Sequence, residues 1–299
     1  MRVSAQKKGI LFSVLGGVFW GISGVCGQYL FDVKGLNAKW MVNIRLIVAG
    51  ILMLVLVYRK AENRKKWKSL FLDWKNLWRL LLFSLFGMTL CQLSYFSTIE
   101  YSNAGTATVL QYTSPILIMV YVAFKDWKKP TYLDILALIL ALLGTFLLAT
   151  HGNVGTLAIS KQALFWGAVA SVTMALYNLL PIKLMGTFGI GTIIGWSMLI
   201  GGICMVPVTK PWMIPGEWDI MTIMAFFAVV LVGTIMAFGV YFKGSRAIGA
   251  AKASLFASSE PLTATIAAAV FMHVSFMPMD VVGIGCIVLA VSILSLQKI

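Results

Sequence analysis

Ten stretches of about 20 apolar residues follow one another along the chain. As helices, each is long enough to cross a hydrocarbon layer about 30 Å thick. They lie near residues 9–31, 38–58, 77–98, 103–124, 131–150, 162–184, 190–209, 219–242, 248–271 and 278–297. No other feature constrains the fold as tightly. Backbone inside lipid must satisfy its own hydrogen bonds, so every stretch is expected to be helical. Composition leaves no soluble alternative: 60% of the 299 residues are hydrophobic and 11% charged, where a soluble domain carries about 25% charge. The first stretch follows Arg2, Lys7 and Lys8 but is too long for a cleavable leader, and Phe19-Trp20 stands where small residues would be needed. It is expected to remain as a helix.

The formal charge of +14 is spread asymmetrically. With the N-terminus on the cytoplasmic side, 19 of the 24 lysines and arginines fall in cytoplasmic segments, while Lys34, Lys39, Lys161 and Lys210 fall outside and Arg45 lies within a span. The positive-inside rule therefore puts both termini in the cytoplasm. The densest basic run, Arg59 to Arg79, is interleaved with Trp67, Trp74 and Trp78. Its place between two spans fits a loop facing lipid headgroups, not nucleic acid. Cys26, Cys91, Cys204 and Cys286 all sit within spans and read as small buried apolar residues, and no metal-ligand spacing is present. His151 and His273 fall near outer helix ends, where they read as interfacial side chains. No phosphate-binding loop or hydrolase motif is found, so neither catalysis nor ATP coupling is expected, and no cofactor is implied.

The chain also contains itself twice. Residues 95–149 align without a gap on residues 241–295, placing Tyr95-Phe96 on Tyr241-Phe242, Ala104 on Ala250, Pro115 on Pro261 and Asp134 on Asp280. Five spans in residues 1–150 and five in 151–299 form an odd number per half. The two halves must then enter the membrane from opposite sides, as inverted repeats. The fold class expected is an all-α polytopic membrane protein of ten helices in two inverted five-helix repeats.

Polar groups at membrane depth should face the bundle interior or a cavity, because unpaired they cost several kcal/mol in hydrocarbon. Depth along each helix brings to the midplane Trp20; Thr89 and Gln92; Gln111, Tyr112, Thr113 and Ser114; Ser171, Thr173 and Asn178; Trp196 and Ser197; Thr234; and Ser258, Ser259 and Glu260. Helices 1, 3, 4, 6, 7, 8 and 9 contribute; 5 and 10 do not. Glu260 is the sharpest candidate, since a carboxyl there must be protonated, paired or used: for proton coupling, as a counter-charge to a cation, or in a structural ion pair. Arg45 is the nearest partner in depth, or it snorkels outward. Pro115 and Pro261 each remove a helical hydrogen bond and are expected to kink their helices as hinge or gate, or simply for packing. Trp20, Tyr95, Tyr112, Tyr177, Trp196 and Tyr241 are candidate aromatic walls, with cation–π contact to an amine as one use. Gly17 and Gly21, four residues apart, offer a face for close helix approach.

With these landmarks, the chain resembles the EamA-type branch of the drug/metabolite transporter superfamily. The resemblance rests on Ala104 to Pro115 and Ala250 to Pro261, the pair Glu260-Pro261, Phe19-Trp20-Gly21, and Arg45 ahead of Val48-Ala49-Gly50. It implies secondary transport of small metabolites across the inner membrane, often export of amino acids or amines, around a cavity between helices 1–4 and 6–9. Lys125-Asp126-Trp127-Lys128 and His273-Val274-Ser275 depart from the glutamate that members often carry before helices 5 and 10. An amino acid or related amine is the expected substrate, bound at Trp20, Gln92, Tyr95, Gln111, Tyr112, Asn178, Trp196, Ser258, Ser259 and Glu260. The alternatives are a choline-type importer with an aromatic cage and Glu260, and a channel-like facilitator. A monomer in the lipid bilayer is expected.

Overall fold

A computed structural model describes residues 2–59, 69–102, 104–126, 130–156, 160–272 and 277–296. Asn103, His273 and most of the basic loop, including Lys60, Arg64, Lys65, Lys66, Trp67 and Lys68, lie outside the described residues, as do Trp127, Lys128, Lys129, Val274, Ser275 and Lys298.

The described chain is helical nearly throughout: α1 (Arg2–Asp32), α2 (Ala38–Tyr58), α3 (Trp74–Glu100), α4 (Ala104–Lys125), α5 (Tyr132–Thr150), α6 (Lys161–Phe188), α7 (Ile190–Thr209), α8 (Ile220–Ile248), α9 (Ala250–Phe271) and α10 (Pro278–Leu296). Among the described residues nine helices are long and apolar enough to cross a membrane, and the apolar α10 completes the set. Capping explains several boundaries. Asn37, Asp73, Ser160 and Asp219 each accept an N–H of the turn that follows. Asp134 and Asp280, paired by the repeat, each accept the backbone N–H three residues earlier, at Thr131 and Met277. The joints between α6 and α7 and between α8 and α9 are single glycines, Gly189 and Gly249, with φ of +88° and +87°, a conformation that a Cβ would strain.

Two pairs of equivalent helices lie against each other, α2 on α7 and α5 on α10. Between them, α1 packs on α8 and α9 as α6 packs on α3 and α4. That reciprocity is what an inverted repeat produces, with the pseudo-two-fold passing between α2 and α7 at one side and α5 and α10 at the other. Small residues permit the close crossings. A Cβ on Gly144 would stand 2.7 Å from the Gly283 carbonyl oxygen, and one on Gly50 would stand 2.8 Å from the Leu199 nitrogen.

The polarity of the bundle is that of a protein in lipid. Leu52, Leu56, Phe124, Leu143, Ile203, Phe227, Val281 and Leu289 are exposed, while Arg45, Asn178, Gln111 and Glu260 are buried. Cys204 corrects one expectation: it faces outward, and Cys26 and Cys286 are half-buried, leaving Cys91 as the fully buried thiol. His151 does more than sit at an interface, because its Nδ1 lies 2.8 Å from Oδ1 of the buried Asp280 and so ties the end of α5 to the start of α10. Trp74 and Trp78 stack at the exposed start of α3, a placement suited to a membrane interface.

Two kinds of interruption shape the interior. α4 and α9 break at Tyr112-Thr113 and Ala257-Ser258, nearly equivalent positions, and α6 breaks at Leu180-Pro181. α3 and α8 do not break but widen into π-helix over Phe83–Thr89 and Ala228–Met236, again equivalent in the repeat. In each widened segment a threonine hydroxyl donates to the carbonyl five residues back, Thr89 to Ser84 at 2.7 Å and Thr234 to Val229 at 2.8 Å.

Candidate functional site

The site begins at the two broken helices. Pro115 and Pro261 were expected to kink continuous helices; instead each stands in the first turn of a second half-helix, Ser114–Asp126 and Ser259–Met272. There a missing N–H costs nothing, since the first turn has no partners for its N–H groups. The Ala257 carbonyl, which a residue with an N–H at position 261 would have engaged, accepts the Glu260 N–H at 2.8 Å and the Tyr112 hydroxyl. The break in one repeat is thereby bonded to the break in the other. Glu260 follows directly at the N-terminal end of the second half of α9, where the helix dipole favours negative charge.

α1 makes this segment possible. A Cβ on Gly21 would fall 2.5 Å from the Glu260 carbonyl oxygen and 2.9 Å from the Ala264 nitrogen, and one on Gly17 would fall 2.7 Å from the Ala257 carbonyl oxygen. Ser259 Oγ donates to the Val14 carbonyl at 2.8 Å, fixing the same contact.

A narrow cavity opens beside Glu260. α1 contributes Trp20 and Ser23, α2 Arg45, α3 Cys91, Gln92, Tyr95 and Phe96, α4 Gln111, α6 Met174 and Tyr177, and α9 Glu260. Glu260 Oε1 accepts the Tyr95 hydroxyl at 3.1 Å. Arg45 Nη2 donates to Gln92 Oε1 at 3.0 Å, and its guanidinium lies 4.7 Å over the Phe96 ring. Gln92 and Tyr95 are three residues apart on α3, so one helical face holds both charged side chains in place. Trp20 closes the wall against Tyr241 and Phe238, at centroid distances of 4.7 and 5.6 Å.

Of the residues singled out from sequence, Trp20, Gln92, Tyr95, Gln111, Tyr177, Glu260 and Arg45 meet around this cavity. Tyr112, Asn178, Ser258 and Ser259 are buried close by but spend their hydrogen bonds on the protein: Tyr112 on Ala257, Asn178 on Met174 and Tyr241, Ser258 on Leu255, and Ser259 on Val14. Trp196 lies elsewhere, donating to the Tyr58 hydroxyl at 2.8 Å and packing on Phe71. Arg45 and Glu260 share the cavity without forming an ion pair, since Arg45 bonds to Gln92 and Glu260 to Tyr95. The lining is also narrower than expected, with α7 and α8 absent from it. Their midplane hydroxyls, Ser197 and Thr234, bond to carbonyls on their own helices, the usual way a hydroxyl is satisfied inside a membrane helix. Sequence reasoning missed Ser23, Cys91, Phe96 and Met174 as lining. Ser23 alone left a trace, one turn on from Trp20 along α1.

Inverted repeats, discontinuous helices and charged side chains in a central cavity together define a polytopic transporter of the broken-helix kind. Residues 7–150 and 161–296 each match the EamA-like transporter family, and the chain belongs to that family. It is similar along its whole length to a Salmonella typhimurium protein described as an uncharacterized inner membrane transporter, YicL, at 35% identity over 99% of this chain and 98% of that one. It is also similar to the uncharacterized transporter YwfM of Bacillus subtilis, at 25% identity over 95% and 93% of the two chains. A solved structure titled only as the crystal structure of a protein shares the fold, with a TM-score of 0.74 over 98% of this chain and 96% of that one at 14% identity.

Proposed function

We propose that this transporter is a secondary active carrier of the inner membrane that moves a small polar metabolite, an amino acid or related amine, by alternating access. The observation that carries the reading is Glu260: a carboxyl at a helix break, 3% exposed, lining a polar cavity between helices of both repeats. In this reading Glu260 receives the amine and exchanges it for a proton, with Trp20 and Tyr95 walling the site. Family analogy supports export, the basic-residue asymmetry supports cytoplasmic termini, and a cavity enclosed by one chain supports a monomer. The name of the Salmonella relative supports the inner membrane. A choline-type cage is less well supported, because the Trp20 ring packs against Tyr241 and Phe238 and the Phe96 ring against Arg45.

A ligand that binds only the folded state raises the unfolding midpoint, by about 2.7 kcal/mol of stabilisation at a hundred times its dissociation constant. The test is therefore thermal unfolding of the purified full chain against amino acids, polyamines and quaternary amines, with wild type and Glu260→Gln side by side. An amine-bearing ligand should stabilise wild type and do so at least tenfold less tightly in the variant. No response to any amine-bearing ligand, or an identical response in both proteins, would sink the reading. Transport into vesicles that survives collapse of the proton gradient at full rate would instead indicate a facilitator.

A further inference from the structure

Among the described residues, no acidic side chain is in contact with the cavity's arginine. Arg45 is 1% exposed, deep in α2, and among the described residues it meets the neutral oxygen of Gln92 and the face of Phe96. It does not snorkel to the surface. Among the residues lining the cavity, the buried polar atoms without a partner are Arg45 Nε and Nη1 and the Tyr177 hydroxyl. A guanidinium keeps its proton and is strongly disfavoured away from water unless an anion meets it. The carboxyl in the cavity lining, Glu260, is bound instead to Tyr95.

We propose that Arg45 is the carboxylate-binding residue of the site, so that the transported molecule is a small zwitterion. This rests on the transport reading above. Gln92 orients the guanidinium and Tyr95 the Glu260 carboxyl, both from one face of α3. A zwitterion would meet both groups at once, whereas a simple amine would leave the guanidinium unmatched. The site thus selects by charge at both ends, with rejection of the decarboxylated analogue coming from an unpaired buried cation.

The experiment uses the full chain and the probes leucine, phenylalanine, threonine and lysine, each with its methyl ester and its decarboxylated amine. Affinities are read by thermal shift for wild type, Arg45→Gln and Arg45→Lys. At least one amino acid should bind wild type tenfold or more tightly than its ester and its amine. Arg45→Gln should bring the three within about threefold of one another, and Arg45→Lys should keep part of the preference. An ester or amine that binds wild type as tightly as its amino acid overturns the proposal while leaving amine transport standing. A preference unchanged in Arg45→Gln overturns it too, reducing Arg45 to a packing residue. If no probe binds, both this proposal and the amino-acid reading fall. Should Arg45→Gln not fold, the ester and amine comparisons on wild type decide the question alone.

Discussion

At the scale of single residues, the site depends on small side chains as much as on charged ones. Gly21 lies against the backbone that carries Glu260, and its Cβ would press on a carbonyl oxygen, not on a mobile side-chain tip. Gly21→Ala should therefore destabilise the protein by about 1–3 kcal/mol, the usual range for overpacking, and weaken ligand binding with it. Thermal unfolding with and without ligand checks both; an unchanged midpoint would mean that α1 retreats freely. Glu260 and Arg45 were legible in the sequence because a charge in an apolar span has few innocent explanations. Tyr177 and Trp196 show the limit. Both are aromatic residues within spans, but Tyr177 lines the cavity and Trp196 bonds to Tyr58. Counting residues gives depth along a helix, while the direction a side chain faces depends on neighbours that only the packed bundle supplies.

At the scale of helices, breaks and widenings do different work. The breaks in α4 and α9 were announced by Pro115 and Pro261, although as breaks and not kinks. The π-segments of α3 and α8 carry no such signal, because one extra residue in a helical turn leaves composition and hydropathy unaltered. They matter because the extra residue resets the face that α3 presents beyond Thr89, including Gln92 and Tyr95, and π-segments recur at functional sites. If the two threonine bonds stabilise the widened turns, Thr89→Val and Thr234→Val should each cost about 1 kcal/mol, the worth of one buried hydrogen bond. The double variant should lose the sum, since independent sites add. A midpoint series in detergent reads this directly, and no loss in either single variant would show that the backbone alone holds the π-form.

At the scale of the whole molecule, the repeat was legible from one gapless alignment, but the way its halves are fastened was not, because the fastening joins loops 185 residues apart. Lys34 Nζ meets Asp219 Oδ2 at 2.6 Å, the Lys34 carbonyl accepts the Glu217 N–H at 2.9 Å, and Trp40 Nε1 donates to the Pro211 carbonyl at 3.0 Å. Together these latch the first repeat to the second at one end of the bundle. The Lys34 ammonium, with help from the Thr222 N–H, holds the Asp219 carboxyl well below the usual carboxylate range, and Asp219 in turn raises Lys34. Asp219 thus favours the latched form above the ordinary carboxylate pKa of about 3.9 and loses that effect only as pH falls through its own lowered value. Lys34 contributes below about 10.4 and loses its effect only as pH rises through its raised value. The latch is therefore constant across neutral pH. In the proposed cycle this end must open, so Asp219→Asn should change the transport rate without moving its pH profile, whereas Glu260→Gln should flatten the profile. Bridging Lys34→Cys and Asp219→Cys with a short thiol cross-linker should stop transport, with recovery on reduction and no effect on either single variant. Full transport by the cross-linked protein would show that this end stays shut throughout, and that the repeats move about some other contact.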